Sequence, residues 1–506
     1  MVHFLNIYTI SLFASIGGLL FGFEISSLSG IIETDQYRQY YGNPLGTRQG
    51  GITSAFPAGS AVGALLAALL GDWLSRKAII QAGAVLWCVG STLQVSSNGV
   101  GMLVVGRVLS GTCVGLTSAM VPIYQSEIAP RKIRGRIVSL QQLASTVGIL
   151  VMYGIQFGCS FIPSQAAFRL PWAIQAIPGI ILFIGFFWFP FSPRWLAKKE
   201  RWDESLTVLA FLRTPDCDVN SPLVLAEYRE IEDQIRLERE SGSKLFKEIS
   251  SQRTRRRVFL SIAVQVCNQL TGAAFLDYYI LYIYQSVGIA NVKPLAFIQY
   301  SIKVIMTFPA ILWSDKWGRR PMLIIGAICI GICFFVVTGL YNEYGEPNPV
   351  LNQPYTWVII GHPSVGHTVQ AFLYLSIGVF NLTWGPITWI YSAEIVPLRI
   401  RARVVSFAIS CRWAINCAIG FAIPALFRLE AWSAFLIFGI LNVGSSVLMF
   451  FTAPETKQRT LEEIDEIFEH GRPLWMSLFA WEESNMLEMA AHDIEMAELT
   501  LRRCPT

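Results

Sequence analysis

The chain has 506 residues, 53% of them hydrophobic and only 15% charged, with a mean hydropathy of +0.47 and a formal net charge of +4. That balance excludes a soluble multidomain protein and describes a polytopic membrane protein embedded in a lipid bilayer. The small positive excess calls for no nucleic-acid partner.

Apolar runs of about 20 residues, each long enough to cross a hydrocarbon core of about 30 Å, are expected near 5–28, 51–71, 78–96, 100–124, 138–158 and 169–190. A charged segment follows at about 191–257, and six more runs are expected near 258–284, 294–313, 321–341, 367–391, 403–426 and 432–452. The first run has no basic leading segment and no small-residue cleavage site, so it reads as a retained helix rather than a signal peptide. At the end of its uncharged stretch Phe13 to Phe23 stands Glu24. An ionised side chain in hydrocarbon costs about 2.5–3.5 kcal/mol on insertion scales, so Glu24 needs a partner or a function.

The loops carry a strong asymmetry. One set holds Arg76 and Lys77, then Arg131, Lys132, Arg134 and Arg136, then Lys316, Arg319 and Arg320, then Arg399, Arg401 and Arg403, whereas the alternate set holds scattered cations such as Lys293 and Arg428. Basic loops stay on the cytoplasmic side, so both termini are expected there. Within the charged segment, Glu227 to Glu240 reads as a short amphipathic helix, and Trp475 to Leu501 in the tail is acidic and partly amphipathic.

Cysteines fall mostly inside the apolar runs with no C-x-x-C pair, and the histidines have no metal spacing. Neither a disulfide framework nor a metal site nor a cofactor is expected. No phosphate-binding glycine loop is present, and enzyme chemistry finds no support. Gly111 and Gly115, four apart, read as close-packing residues in span four. The glycosylation acceptor Asn381-Leu-Thr383 lies within an expected span and reads as chance.

Two charged patterns occur once in each half. Asp72-Trp-Leu-Ser-Arg76-Lys77 follows the second span and Asp315-Lys-Trp-Gly-Arg319-Arg320 the eighth; Glu127-Ile-Ala-Pro130 with Arg134 follows the fourth, and Glu394-Ile-Val-Pro397 with Arg401 the tenth. Repetition of both spacing and span number implies an internal duplication. The expected domains are a six-helix bundle at 1–190, a linker with short helices at 191–257, a second six-helix bundle at 258–452 and a tail at 453–506. Duplicated bundles of this kind are the build of many secondary transporters, with a solute site near the midplane.

The chain resembles the sugar porter family of the major facilitator superfamily, and in texture the yeast and fungal high-affinity hexose transporters, over about residues 10–468. The resemblance is carried by Gly106-Arg107, Pro122-x-Tyr124-x-x-Glu127, Arg134-Gly135 and Pro190-Phe-Ser-Pro193-Arg194-Trp195-Leu196. It continues through Gln265-x-x-Asn268-Gln269-x-x-Gly272, Tyr278-Tyr279, Asp315 to Arg320 and Pro454-Glu455-Thr456-Lys457. It implies an all-α fold of twelve transmembrane helices in two six-helix pseudo-repeats that rock about a central site. Asp72, Arg76, Glu127, Arg134, Asp315, Arg319, Glu394 and Arg401 are then gating residues at the loop ends, with Tyr278 and Tyr279 gating from span seven.

Glu24 occupies the position where proton-coupled members of the family carry Asp, and the resemblance places Arg107 beside it. A carboxyl in low dielectric holds its proton more tightly and a nearby cation loosens it, so such a pair can couple protonation to movement. The alternative is a static ion pair that fixes packing. For a sugar, the resemblance points to Phe21, Gln142, Asn268, Gln269, Trp389, Trp413 and Asn416. These residue types suit the task, because amides both donate and accept and aromatic faces pack on a sugar ring.

The departures bear on the solute. The family usually has Gln-Gln at Asn268-Gln269, Asn at Ala274, an apolar residue at Asp277 and an amide at Arg412. Asp277 and Arg412 are expected to face each other, either as a neutralised cavity wall or with Arg412 receiving an anionic or strongly polar substrate. Ser75, Phe191 and Thr388 depart from the usual Gly, Glu and Pro. The expected function is proton-coupled uptake of a monosaccharide or polyol at the plasma membrane by a monomer. The alternatives are a facilitative uniporter, a carrier of an acidic sugar, or a non-transporting nutrient sensor.

Overall fold

The computed structural model describes residues 6–457 apart from 33, 45, 72, 131–132, 215, 241–251, 290, 349–355, 398–399 and 430, together with residue 468. Asp72 and the tail segment 475–501 lie outside the described residues, as do the side chains of Arg134 and Asp315.

Among the described residues, twelve helices are long and apolar enough to span a bilayer: Ile7–Ser29, Thr47–Leu70, Arg76–Val95, Val100–Ile128, Gly135–Cys159 and Ala166–Gly185, then Thr254–Ser286, Val292–Trp313, Arg319–Tyr344, Pro363–Glu394, Arg401–Leu426 and Trp432–Thr452. They are called spans one to twelve below. Each expected apolar run overlaps one of them. Their outward faces carry exposed apolar side chains such as Leu12, Leu69, Ile305, Leu312 and Phe451, as a surface meeting lipid requires.

Spans two and four pack backbone against backbone. A Cβ added at Gly111 or Gly115 would lie 2.2 Å from the Phe56 carbonyl oxygen or 2.1 Å from that of Ser60, so only glycine permits this approach. Span two meets span eleven across the two halves, span five meets span eight, and span one meets both five and seven.

Spans seven and ten are each broken. Span seven runs as Gln252–Leu270 and Ala273–Ser286 with Gly272 between them at φ +84°, a conformation that favours glycine. Span ten runs as Pro363–Leu382 and Trp384–Glu394 around Thr383. Interrupted helices are tolerated at membrane depth where they are buried in protein or line a cavity, and both breaks adjoin the site described next.

The sequence repeat is matched in geometry. Arg76 Nη2 lies 3.0 Å from Glu127 Oε1, and Arg319 Nη2 lies 3.1 Å from Glu394 Oε1. Both pairs stand at the end of the bundle that carries the basic loops, each within its own half. Glu455 accepts hydrogen bonds from the backbone N–H groups of Arg319 and Arg320 at 3.0 and 3.1 Å, supplying a negative charge to the start of span nine. Between spans six and seven lie the helices Pro193–Lys198, Trp202–Arg213 and Pro222–Glu240. The last begins earlier than expected because Val224 joins Ile231 and Ile235 in a small apolar core with Leu209 and Ala210. Arg213 holds Glu227 at 2.7 and 2.8 Å and donates to the Ile128 carbonyl at 2.7 Å, tying these helices to the end of span four.

Candidate functional site

A cavity lies between the halves. Span one contributes Phe21 and Ile25 to its wall and span five contributes Gln142 and Thr146; the second half contributes Asn268, Gln269, Ala274, Asp277, Lys303, Asn381, Arg412 and Asn416. Phe21 and Ile25 are four apart and share one helix face. The break at Gly272 ends the first segment of span seven just beyond Asn268 and Gln269, leaving both amides at the wall.

The amides form a connected network. Tyr278 Oη donates to Asn416 Oδ1 at 3.0 Å, Asn416 Nδ2 donates to Gln269 Oε1 at 2.6 Å, and Gln269 Nε2 donates to Asn268 Oδ1 at 3.1 Å. Asn268 Nδ2 in turn donates to Thr388 Oγ1 at 2.9 Å. Two departures thus meet, because Thr388 supplies an acceptor that proline lacks. Across the halves, Trp389 Nε1 donates to Gln142 Oε1 at 3.0 Å. Trp389 and Trp413 stand behind the wall rather than in it. Trp413 packs edge-on against Phe21 with centroids 5.1 Å apart and against Phe56 at 5.5 Å.

The expected pairing of Asp277 with Arg412 is not what forms. Asp277 pairs with Lys303 of span eight, a residue the sequence reading passed over, and the Asp277 carbonyl accepts from Tyr300 Oη at 3.2 Å. The second segment of span seven lies against both span eight and span eleven, and Asp277 finds its counter-charge on span eight. Arg412 instead lies over the Trp389 ring at 4.7 Å and donates from Nη1 to Gln265 Oε1 at 3.4 Å. The signal for Lys303 was present as a lone cation inside an apolar run. Asn381 was equally legible as an amide inside the apolar run of span ten.

Glu24 and Arg107 do meet. Arg107 Nη1 lies 3.2 Å from Glu24 Oε1, and both side chains are 0% exposed. Arg107 Nε also donates to the Ile52 carbonyl at 3.1 Å, and its guanidinium carbon is 6.0 Å from the centre of the Phe56 ring. Neither residue lines the cavity. The link to it runs through aromatic contacts, from Arg107 to Phe56, Trp413 and Phe21.

Of the gating residues, Arg76, Glu127, Arg319 and Glu394 form the two repeat-related pairs. Glu394 also accepts from Thr456 Oγ1 at 2.7 Å. Arg401 donates to the Val396 carbonyl at 3.1 Å. Tyr278 and Tyr279 are buried in span seven, and Tyr279 Oη donates to the Gly420 carbonyl at 2.9 Å. At the end remote from the basic loops the halves touch directly: Tyr153 Oη donates to the Lys293 carbonyl at 3.1 Å, and the Tyr153 and Tyr300 rings are 4.9 Å apart. Phe191 stacks on Trp195 at 5.5 Å and sits under Lys77 at 5.0 Å, a cation–π contact at the position where the resemblance implies an acid.

The sequence matches the family model described as "Sugar (and other) transporter" over residues 10–468. It is 46% identical over 485 residues to the MFS glucose transporter mfs1 of Aspergillus flavus, covering 94% of this chain and 92% of that protein. It is 38% identical over 479 residues to a high-affinity glucose transporter of Kluyveromyces lactis, covering 94% and 87%. Among solved structures, the proton:xylose symporter XylE bound to 6-bromo-6-deoxy-D-glucose superposes with a TM-score of 0.77 over 92% of this chain and 99% of that one, at 23% identity. That likeness concerns the fold, while the sequence relationship spans nearly the whole chain. The protein belongs to the sugar (and other) transporter family, within the sugar porters of the major facilitator superfamily.

Proposed function

We propose that the protein carries a sugar-like solute into the cell by proton-coupled alternating access, as a monomer in the plasma membrane. The observation that carries this reading is the sealed Glu24–Arg107 pair, joined through Phe56 and Trp413 to a cavity built from both halves. Trp413 belongs to the second half and Phe56 and Arg107 to the first. When the halves rock, Trp413 shifts on Phe56, the support of the Arg107 guanidinium changes, and so does the attraction that Glu24 feels. A carboxyl that takes a proton loses that attraction, so protonation and rocking bias one another.

Retention of basic loops on the inner side puts the contacts of Tyr153 and Tyr300 at the outer end. The described state is then closed outward. The repeat-related pairs Arg76–Glu127 and Arg319–Glu394 brace the inner ends of each half, and neither touches solute. The amides and Phe21 supply hydrogen bonds and an apolar face of the kind that hydroxyl-rich rings require.

The test is uptake into vesicles reconstituted with the purified chain, with and without an imposed pH gradient. Accumulation that follows the gradient, and that Glu24→Gln reduces to downhill exchange, supports the reading. Flux in the wild type that ignores the gradient would sink the coupling.

A further inference from the structure

We infer that the solute carries a single carboxylate, as a uronate or an aldonate does, and that Arg412 receives it. The inference rests on the transport reading above and names the solute class for the same cavity.

Arg412 is 6% exposed and lines the cavity. Among the described residues no carboxylate pairs with it, whereas every other cavity charge is matched: Asp277, the acid in the wall, is held by Lys303. A guanidinium has five donors in a planar fork suited to a carboxylate. Here one long bond of 3.4 Å goes from Nη1 to Gln265, and the buried Nε has no acceptor. The face of the group lies over Trp389 at 4.7 Å, which orients the fork while leaving its edge to a ligand. A buried charge without a counter-charge is costly, and none of the described carboxylates provides one.

The count of charges selects among anions. Asp277 and Lys303 cancel within the wall, and Glu24 and Arg107 lie outside the lining, so Arg412 leaves the cavity wall with one positive charge. One carboxylate neutralises that charge. A doubly charged phosphate ester would overshoot, and a neutral sugar would leave the charge uncompensated. The remaining wall, with Gln142, Gln269 and Asn416, still offers bonds to the hydroxyls of the same molecule. A further consequence concerns voltage. A solute monoanion that enters with one proton moves no net charge, whereas a neutral sugar entering with one proton moves one.

The experiment compares D-galacturonate with D-galactose on the full chain in vesicles, at a pH where the uronic acid is ionised. D-galacturonate is expected to bind at least tenfold more tightly, and its accumulation under a pH gradient to be unchanged by an imposed membrane potential. Arg412→Gln is expected to reduce the galacturonate-to-galactose affinity ratio at least tenfold, and Arg412→Lys to keep part of the preference. The wild-type comparison stands even where a variant fails to fold. If D-galactose accumulates with the gradient while D-galacturonate neither competes nor enters, the carboxylate inference is overturned and the transport reading survives. If no solute of either kind moves, both fall.

Discussion

Glu24 with Arg107 in the first half, and Asp277 with Lys303 in the second, are both ion pairs at membrane depth, yet their surroundings differ. The first joins spans one and four, is fully enclosed, and stands behind the cavity wall, linked to it through the Phe56 and Trp413 rings. The second joins spans seven and eight and forms part of the cavity wall itself. A solute can touch the second pair and compete for it, whereas it can reach the first only by moving helices. The contrast teaches that the chemistry of a buried pair does not define its role. Its insulation from the ligand does.

The strongest test of that contrast is uncoupling. Glu24→Gln is expected to abolish accumulation against a gradient while exchange persists, and Asp277→Asn to alter solute affinity without removing gradient dependence. Uncoupling by Asp277→Asn would break the comparison. Next in size is stability: removing one partner of a fully buried pair costs about 3–5 kcal/mol. Arg107→Gln should therefore lower the melting temperature in detergent strongly, and the double variant Glu24→Gln/Arg107→Gln should recover most of the loss.

For the wall pair, each single change at Asp277 or Lys303 should cost about 1.5–3 kcal/mol, the range for hydrogen bonds to charged groups. Exchanging the two residues should restore part of it. A swap that recovers nothing in thermal unfolding would mean that the pair depends on its surroundings and not on charge. The smallest effect concerns the aromatic link. Phe56→Leu removes a cation–π contact and an edge-on ring pair, each worth roughly 0.5–1.5 kcal/mol. The ratio of coupled to uncoupled flux should then fall by up to about tenfold, with folding intact.

Much of the fold was legible. Apolar runs mark spans directly, because the cost of backbone polar groups in lipid leaves little but a helix for such a run. The twofold recurrence of Glu127 with Pro130 and Glu394 with Pro397 exposed the duplication, and the structure places Arg76–Glu127 and Arg319–Glu394 in matching positions. Several site residues were legible too. Gln142, Asn268, Gln269 and Asn416 are amides in apolar helices, and all line the cavity. Lys303 escaped notice, and Arg412 was assigned the wrong counter-charge. Helical periodicity says which residues share a face but not which neighbouring helix that face meets.

From the sequence alone came the twelve spans, their repeat, and the knowledge that each intramembrane charge must be compensated, since desolvation is a cost that a residue carries wherever it sits. Tertiary structure decided which charges meet. Attraction between ions falls with separation and depends on what lies between them; span seven packs against both eight and eleven, and it is Lys303 of span eight, 26 positions from Asp277, that the fold brings to it. The same fold left Arg412 in the cavity over an aromatic face, paired with no carboxylate among the described residues.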